Sequence, residues 1–402
     1  MRVSTIRTVE EMRRAAHRRM PRMVADFIDG GAEDESTVRA NRSGFADVAL
    51  RPTVLDGSRT RSLSTTVVGQ HLAFPVMLSP AGLLRLAHAD GEVGAARAAA
   101  AAGTVFTLST GSSCTIEEVV TDGPRWFQLY LWKDREVVAD LVRRAREAGY
   151  TAIVLTVDVP VVGQRERDLR NGMTLPPRPT LPNLLDAARH PAWVRDYLTG
   201  PPLTFGNFTE LGRGSGATSL GEWINGEMTD PGQSWDDLAW LREEWEGPLL
   251  VKGLVSPDDA VRAVDLGVDG IVVSNHGGRQ LDGMVGAIDA LPAVVDAVGG
   301  RADVILDGGV RRGTDVVKAL ALGATAVSVG RPYVWGLGAG GATGVLRVLD
   351  ILRAELDRTL ALMGVRSVTD LGRQHLAFPG RQPDIRLNWP RETVDGRVRG
   401  LL

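Results

Sequence analysis

Four residues of this chain have the types and spacing to do acid–base chemistry on a small acid. His276 sits in the run SNHGGRQLDG (Ser274–Gly283), Arg279 follows three residues on, Asp158 closes the apolar run AIVLTVD, and Lys252 lies in LLVKG. A carboxylate beside an imidazole fixes its tautomer and stabilises its charged form. An arginine fork takes a carboxylate bidentately. Together His276, Asp158 and Arg279 suit proton abstraction from a small acid; a lone histidine would otherwise read as a structural imidazole. Lys252 suits a Schiff base with a carbonyl or the stabilisation of an anion that develops on a cofactor. Of the 46 basic residues only Lys133, Lys252 and Lys318 are lysine. Arginine is the default cation here, so Lys252 marks a place that wants a compact point charge, whereas Lys133 and Lys318 have plain surface readings.

A second constellation suits phosphate. DGGVRRG (Asp307–Gly313) and VGRP (Val329–Pro332) are glycine-rich turns that lead into helices. Amides at Gly308, Gly309 and Gly330, with Arg311 and Arg331, match a phosphate dianion at helix N-termini. One GG pair would read only as a tight turn; two such loops point to phosphate. Reduced flavin is a cofactor of the kind whose negative charge Lys252 would stabilise.

Both constellations need a frame that brings distant segments together. Short apolar segments recur at Phe74–Ser79, Thr104–Ser109, Trp126–Tyr130, Ala152–Asp158, Leu249–Gly253, Gly270–Asn275, Asp303–Asp307 and Ala326–Gly330, with helical stretches between them. Continuous rather than alternating apolar runs are the pattern of buried parallel strands. Eight such units predict an α/β chain folded as a single (β/α)8 TIM barrel over about residues 70–365, within one domain spanning 1–402. Ser109, Gln128, Tyr130, Thr156, Asp158, Lys252, His276, Asp307, Gly330 and Arg331 then fall at or just beyond strand C-terminal ends, the face where barrel sites are built. Asp90 and Ser256 are expected to cap helices, with Pro257 opening the second. A long insertion, about 172–240, follows the fourth strand and begins with Pro176, Pro177, Pro179 and Pro182. A lid and a peripheral membrane anchor are its functional readings; an oligomer contact or a disordered loop is the plain one.

Composition excludes several classes. A net charge of −3 argues against a nucleic-acid binder. One cysteine excludes an intramolecular disulfide, and six histidines without HExxH spacing give no metal site. No apolar run approaches a spanning helix of about 20 residues. The arginine-rich N-terminus lacks an apolar core, so it is read as an amphipathic surface helix rather than a signal or transit segment, in a cytoplasmic protein or one peripheral on the inner face of the membrane.

On these motifs the chain resembles the FMN-dependent L-2-hydroxy acid dehydrogenases and oxidases, whose members include L-lactate dehydrogenase, mandelate dehydrogenase and glycolate oxidase. SNHGGRQLDG is the most specific match; WFQLY, LTVDVP, RERDLRNG, LVKGL and DGGVRRGTDVVKALALGA match in order. The resemblance implies FMN as cofactor and oxidation of an L-2-hydroxy acid, lactate- or mandelate-like, to the 2-keto acid. It implies His276 as base with Asp158 as its partner, Arg279 and Arg165 as substrate cations, and Tyr130 as a substrate hydrogen-bonding group. It implies Ser79, Pro80, Ala81, Gly82, Ser109, Gln128, Thr156, Ser274 and Lys252 around the flavin, and Asp307, Gly308, Gly309, Arg311, Gly330 and Arg331 along its ribityl phosphate. A quinone, another carrier or molecular oxygen would reoxidise the flavin, and a homotetramer is the expected assembly.

Departures from the family pattern qualify this. Phe27 replaces a tyrosine that contacts the substrate carboxylate, removing a hydrogen bond of about 1–3 kcal/mol. Ala81 replaces a frequent threonine. Gly111 replaces the large aromatic of glycolate oxidases and should leave room for a bulkier substrate; Gly82 resembles the dehydrogenase branch. Phe27 and Gly111 keep open an FMN oxidase of a larger, amino-acid-like or peptide-derived substrate. A flavoprotein that only binds and a flavin-free phosphate-binding isomerase are the readings from other classes.

Overall fold

The computed structural model describes residues 2–55, 60–173, 180–211 and 230–378. Eight parallel strands close a barrel: β1 (Val76–Leu78), β2 (Phe106–Ser109), β3 (Arg125–Leu129), β4 (Ala152–Thr156), β5 (Leu249–Leu254), β6 (Gly270–Val273), β7 (Asp303–Asp307) and β8 (Ala326–Val329). Each pairs with the next, and β8 pairs with β1 through Val327–Val76, Ser328–Met77 and Val329–Leu78. The expected (β/α)8 architecture is the observed one.

The two-residue period of a strand explains how the sequence aims its chemistry. Met77, Val105, Trp126, Val154, Leu250, Val272, Ile305 and Ala326 point into the barrel and pack on one another. Two residues further along the chain stand Ser79, Thr107, Gln128, Thr156, Lys252, Ser274, Asp307 and Ser328. An apolar layer therefore carries a polar layer above it, at the C-terminal mouth. A hairpin, Thr65–Val67 with Gln70–Leu72, covers the opposite end with Val67 and Leu72. The intervening residues, such as Val76, Leu78, Phe127, Leu155 and Val251, face outward into the larger core under the helices.

Three helices precede the barrel: α1 (Val9–Arg19), α2 (Arg22–Asp29) and α3 (Ser36–Ala46). The arginine-rich segment is indeed an amphipathic helix. Thr8 caps α1 by accepting the Glu11 N–H at 3.1 Å, and Val9, Met12 and Ala16 are buried on its inner face. Outside the strands follow α4 (Gly91–Ala102), α5 (Arg135–Glu147), the short α6 (Glu166–Arg170), α7 (Leu181–Ala187), α8 (Pro191–Thr199), α9 (Trp235–Glu244), α10 (Pro257–Asp265), α11 (Ala287–Val298), α12 (Gly313–Ala321) and α13 (Arg331–Met363). Ser256 caps α10, accepting the Asp259 N–H at 3.3 Å, with Pro257 in its first turn. Asp90 does not cap α4: its own backbone is already helical, and its carboxylate accepts the Ala342 N–H of α13 at 2.9 Å. Lys318 is not a bare surface lysine either; its Nζ donates to Phe45 O at 2.7 Å and ties α12 to α3.

Between β4 and β5 run α6, α7, α8 and α9; Pro176, Pro177 and Pro179 lie outside the described residues. The described part is docked by polar contacts to the N-terminal helices and to the loop after β1. Asp186 accepts the Arg22 N–H at 2.7 Å, Asp196 pairs with Arg19, and Trp193 Nε1 donates to Leu86 O at 2.8 Å.

Candidate active site

The polar layer at the barrel mouth is wired around Lys252. Its Nζ lies 3.0 Å from Ser274 Oγ and 3.1 Å from Asp307 Oδ2, and Asp307 also accepts from Ser79 at 2.7 Å and Ser274 at 2.8 Å. Burial pulls the lysine down, but Asp307 and then Asp158 outweigh it and hold its pKa above the usual range. Burial likewise pushes Asp307 up, and Lys252 with the two serines holds it low. Lys252 is thus a fixed positive charge. Asp307 is engaged in holding it, and Ser274 stands behind it.

His276 and Asp158 meet at the next two strand ends. His276 Nδ1 lies 3.0 Å from Asp158 Oδ1. The histidine has a left-handed backbone, φ 57°, costing about 1–2 kcal/mol, and its N–H donates to Ser274 Oγ at 3.1 Å. Such strain at a non-glycine residue is characteristic of functional sites. Gly253 makes room for the partner: φ is 107°, and a Cβ there would stand 2.6 Å from Asp158 Cγ. Burial pushes the Asp158 carboxyl up, but the charge and hydrogen bond of His276, helped by Lys252, hold it below the usual range.

Cations line one wall. Arg279 Nη1 donates to Phe27 O at 2.8 Å and Gly30 O at 2.9 Å, and its guanidinium carbon sits 5.2 Å from the Phe27 ring centroid. Enclosure, then repulsion from Arg165 and Arg331, drops its pKa to about 9. Arg165 is held by Asp168, Nε to Oδ2 at 2.8 Å. Tyr130 faces the same space, and burial with the nearby Asp158 charge raises its hydroxyl to about 12, so it stays a neutral donor. Arg331 spends its donors on Ile28 O (3.1 Å), Gly277 O (2.8 Å) and Gly30 O (2.9 Å). The C-terminus of α2 is therefore capped by two arginines of the site.

These groups surround one cavity of about 700 Å³. Phe27, Ser79, Pro80, Ala81, Gly82, Ser109, Gly111, Tyr130, Arg165, Lys252, His276, Arg279, Asp307, Gly308, Gly309, Arg311, Gly330 and Arg331 line it. Gln128, Thr156, Ser274 and Asp158 lie behind the wall. Gln128 Nε2, Thr156 Oγ1 and Asp158 Oδ2 are buried without a partner among the described residues. The space beside Gly111 is narrower than its missing side chain suggests, because a Cβ there would lie 3.7 Å from Phe205.

A family model described as FMN-dependent dehydrogenase matches residues 16–378. The chain belongs to the FMN-dependent dehydrogenase family. An L-lactate dehydrogenase of Caulobacter vibrioides (strain NA1000 / CB15N) is 46% identical over 92% of this chain and 98% of its own. A putative L-lactate dehydrogenase of Mycobacterium tuberculosis (strain ATCC 25618 / H37Rv) is 45% identical over 92% of this chain and 88% of its own. Among solved structures, a monotopic membrane protein (S)-mandelate dehydrogenase superposes with a TM-score of 0.90 at 40% identity, covering 93% of this chain and 100% of that one. A mandelate oxidase variant superposes at 0.79 with 38% identity, covering 93% and 98%. This chain is accordingly an FMN-dependent oxidoreductase.

The cavity fits the FMN of an FMN-dependent dehydrogenase. The unpartnered Gln128 Nε2 and Thr156 Oγ1 lie just behind its wall, and Lys252 supplies a fixed charge on it. Arg311 also lines the cavity, and burial with Arg331 and Arg42 nearby drops its pKa to about 9. Gly309 there has φ 82°, and a Cβ would collide with Asn41 O at 1.9 Å.

The sequence reading missed several supports. Asp168 was legible, in the first turn of α6 three residues after Arg165, which precedes that helix. Asn41 and Asn275, which exchange amide hydrogen bonds at 2.8 and 3.0 Å, and Asp282, which accepts the Ser36 and Thr37 N–H groups at 3.0 and 2.7 Å, are far apart in sequence and gave no sign. Phe205, Leu203, Val194 and Tyr197 of the insertion also line the cavity. Among the described residues no His/Cys/Asp/Glu cluster would hold a metal, and no helix is long and apolar enough to cross a membrane.

Proposed function

We propose that this enzyme oxidises an L-2-hydroxy carboxylic acid to its 2-keto acid, with His276 as the base. The observation that carries the reading is the 3.0 Å contact of Asp158 with His276, which lines one cavity with Arg165, Arg279, Tyr130 and Lys252. Bound FMN would supply the two-electron acceptor, held by Ser79–Gly82, Ser109, Gln128, Thr156 and Lys252 at the ring and by Gly308, Gly309, Arg311 and Gly330 at the phosphate. Arg279 and Arg165 receive the substrate carboxylate, Arg165 being steadied by Asp168. Tyr130 donates to the substrate. Asp158 accepts a hydrogen bond from the Nδ1–H of His276, which leaves Nε2 to accept a proton from the substrate, and the ionised Asp158 stabilises the imidazolium that results. Phe27 contributes its ring face to Arg279 instead of a hydroxyl to the carboxylate.

Gly111 lines the same cavity as Leu203, Phe205, Val194 and Tyr197, and the substrate side chain would lie against this apolar lining. That lining favours an aryl or branched alkyl group over the methyl of lactate, and offers no charged partner to an amino-acid-like group. Exposed Leu181, Leu184, Leu185 and Leu198 on α7 and α8 form a greasy rim beside it, which supports peripheral contact with a lipid surface and a lipid-soluble electron acceptor.

Anaerobic mixing with lactate, glycolate and mandelate, followed at the flavin absorption band, tests the reaction; admitting air then separates oxidase from dehydrogenase. His276→Ala should slow flavin reduction by about two to four orders of magnitude. An undiminished rate would refute the base assignment.

A further inference from the structure

Arg311 has one side-chain hydrogen bond among the described residues, Nη1 to Val310 O at 2.7 Å. What fixes the rest of the guanidinium is a ring. Its central carbon lies 4.8 Å from the centroid of Trp335, in the first turns of α13, and Arg13 of α1 approaches the same ring at 5.8 Å. The ring is itself fixed: Trp335 is 3% exposed, and its Nε1 donates to Asp29 Oδ1 at 2.7 Å. Asp29, the last residue of α2, is held in turn by Arg13 at 2.7 Å and His17 at 3.0 Å.

A guanidinium drawn against an aromatic face presents its N–H edge sideways, as a planar fork for an anion. The carboxylate behind the ring adds negative charge that offsets the crowding of Arg311 by Arg331 and Arg42. We propose that Trp335 and Asp29 are positioning residues for the cofactor phosphate, acting through Arg311, so that the N-terminal helices take part in selecting FMN over flavin without phosphate. This rests on Arg311 being a phosphate ligand.

The test compares FMN and riboflavin, which differ only in that phosphate. The full-length protein stripped of flavin is titrated with each, following flavin fluorescence. Trp335→Leu and Asp29→Asn should each weaken FMN by about tenfold while changing riboflavin by less than about twofold. Trp335→Phe, which keeps a ring and loses the N–H, should fall between. The ratio of the two dissociation constants is internal to each variant, so a general loss of folded protein does not move it. Equal losses for both flavins would show a merely structural role and overturn the proposal. Arg311→Gln separates the two ideas: an unchanged FMN preference in that variant would reject Arg311 as the phosphate ligand, whereas a lost preference there with an intact one in Trp335→Leu would reject only the positioning role.

Discussion

At the scale of single residues, the site works by pairing charges that burial alone would neutralise. Lys252 is 4% exposed and fits between Ser274 and Asp307 with contacts of 3.0 and 3.1 Å. A guanidinium conserves the charge but not the volume, and overpacking a site of this kind costs about 1–3 kcal/mol. Lys252→Arg should therefore slow flavin reduction by roughly 10- to 100-fold in anaerobic stopped-flow; a rate near that of the unaltered enzyme would refute the fixed-charge role. Asp168 gives a second prediction. Burial raises its carboxyl above the usual range in spite of Arg279 and Arg165. Asp168→Asn keeps an oxygen for Arg165 but removes the charge, so KM for the hydroxy acid should rise about tenfold with a smaller change in kcat, about 1.4 kcal/mol of weakened binding. Steady-state kinetics reads this directly, and a kcat effect alone would contradict it.

At the scale of elements, the loops that carry the candidate site residues His276 and Arg279 are fastened by helices from elsewhere in the chain. Asp282, just beyond Arg279, caps α3 by accepting the Ser36 and Thr37 N–H groups at 3.0 and 2.7 Å. The Asn41–Asn275 exchange binds the same helix to the loop of His276. Removing the cap should cost about 1–2 kcal/mol, visible as a lower denaturation midpoint for Asp282→Ala, while Asp282→Asn, which retains an acceptor, should lose less. Equal midpoints for Asp282→Ala and the unaltered protein would show that the cap does not stabilise α3.

At the scale of the whole molecule, α1, α2 and α13 are joined at Asp29. Burial pushes that carboxyl up, but a hydrogen bond from His17 and the charge of Arg13 bring its pKa down to about 2. A group depressed in the folded state stabilises above its ordinary value near 4, and that contribution is lost as pH falls from about 4 towards 2. Asp29→Asn should therefore cost on the order of 2 kcal/mol at neutral pH and make this part of the acid limb shallower, as measured by urea unfolding at stepped pH. An acid limb identical to that of the unaltered protein would contradict the linkage. FMN acts on the same whole: because it binds the folded barrel, flavin at about 100 times its dissociation constant should add about 2.7 kcal/mol of stability over the stripped protein.

Much of this was written in the sequence because it depends on local order. Continuous apolar runs of strand length, spaced by helical segments, suffice to specify a parallel barrel, and the two-residue strand period then decides that Lys252, Asp307, Gln128 and Thr156 share its mouth. The motif around His276 and the two glycine turns are likewise contiguous. Tertiary structure alone decided what each group is held by, since those partners come from segments remote in the chain: Asp307 committed to Lys252, Arg331 spent on the carbonyls at the end of α2, Trp335 beneath Arg311, and Phe205 standing across from Gly111. A glycine in the sequence reports only the volume it gives up. Which side chain moves into that volume is settled by packing among elements whose relative placement no local pattern encodes.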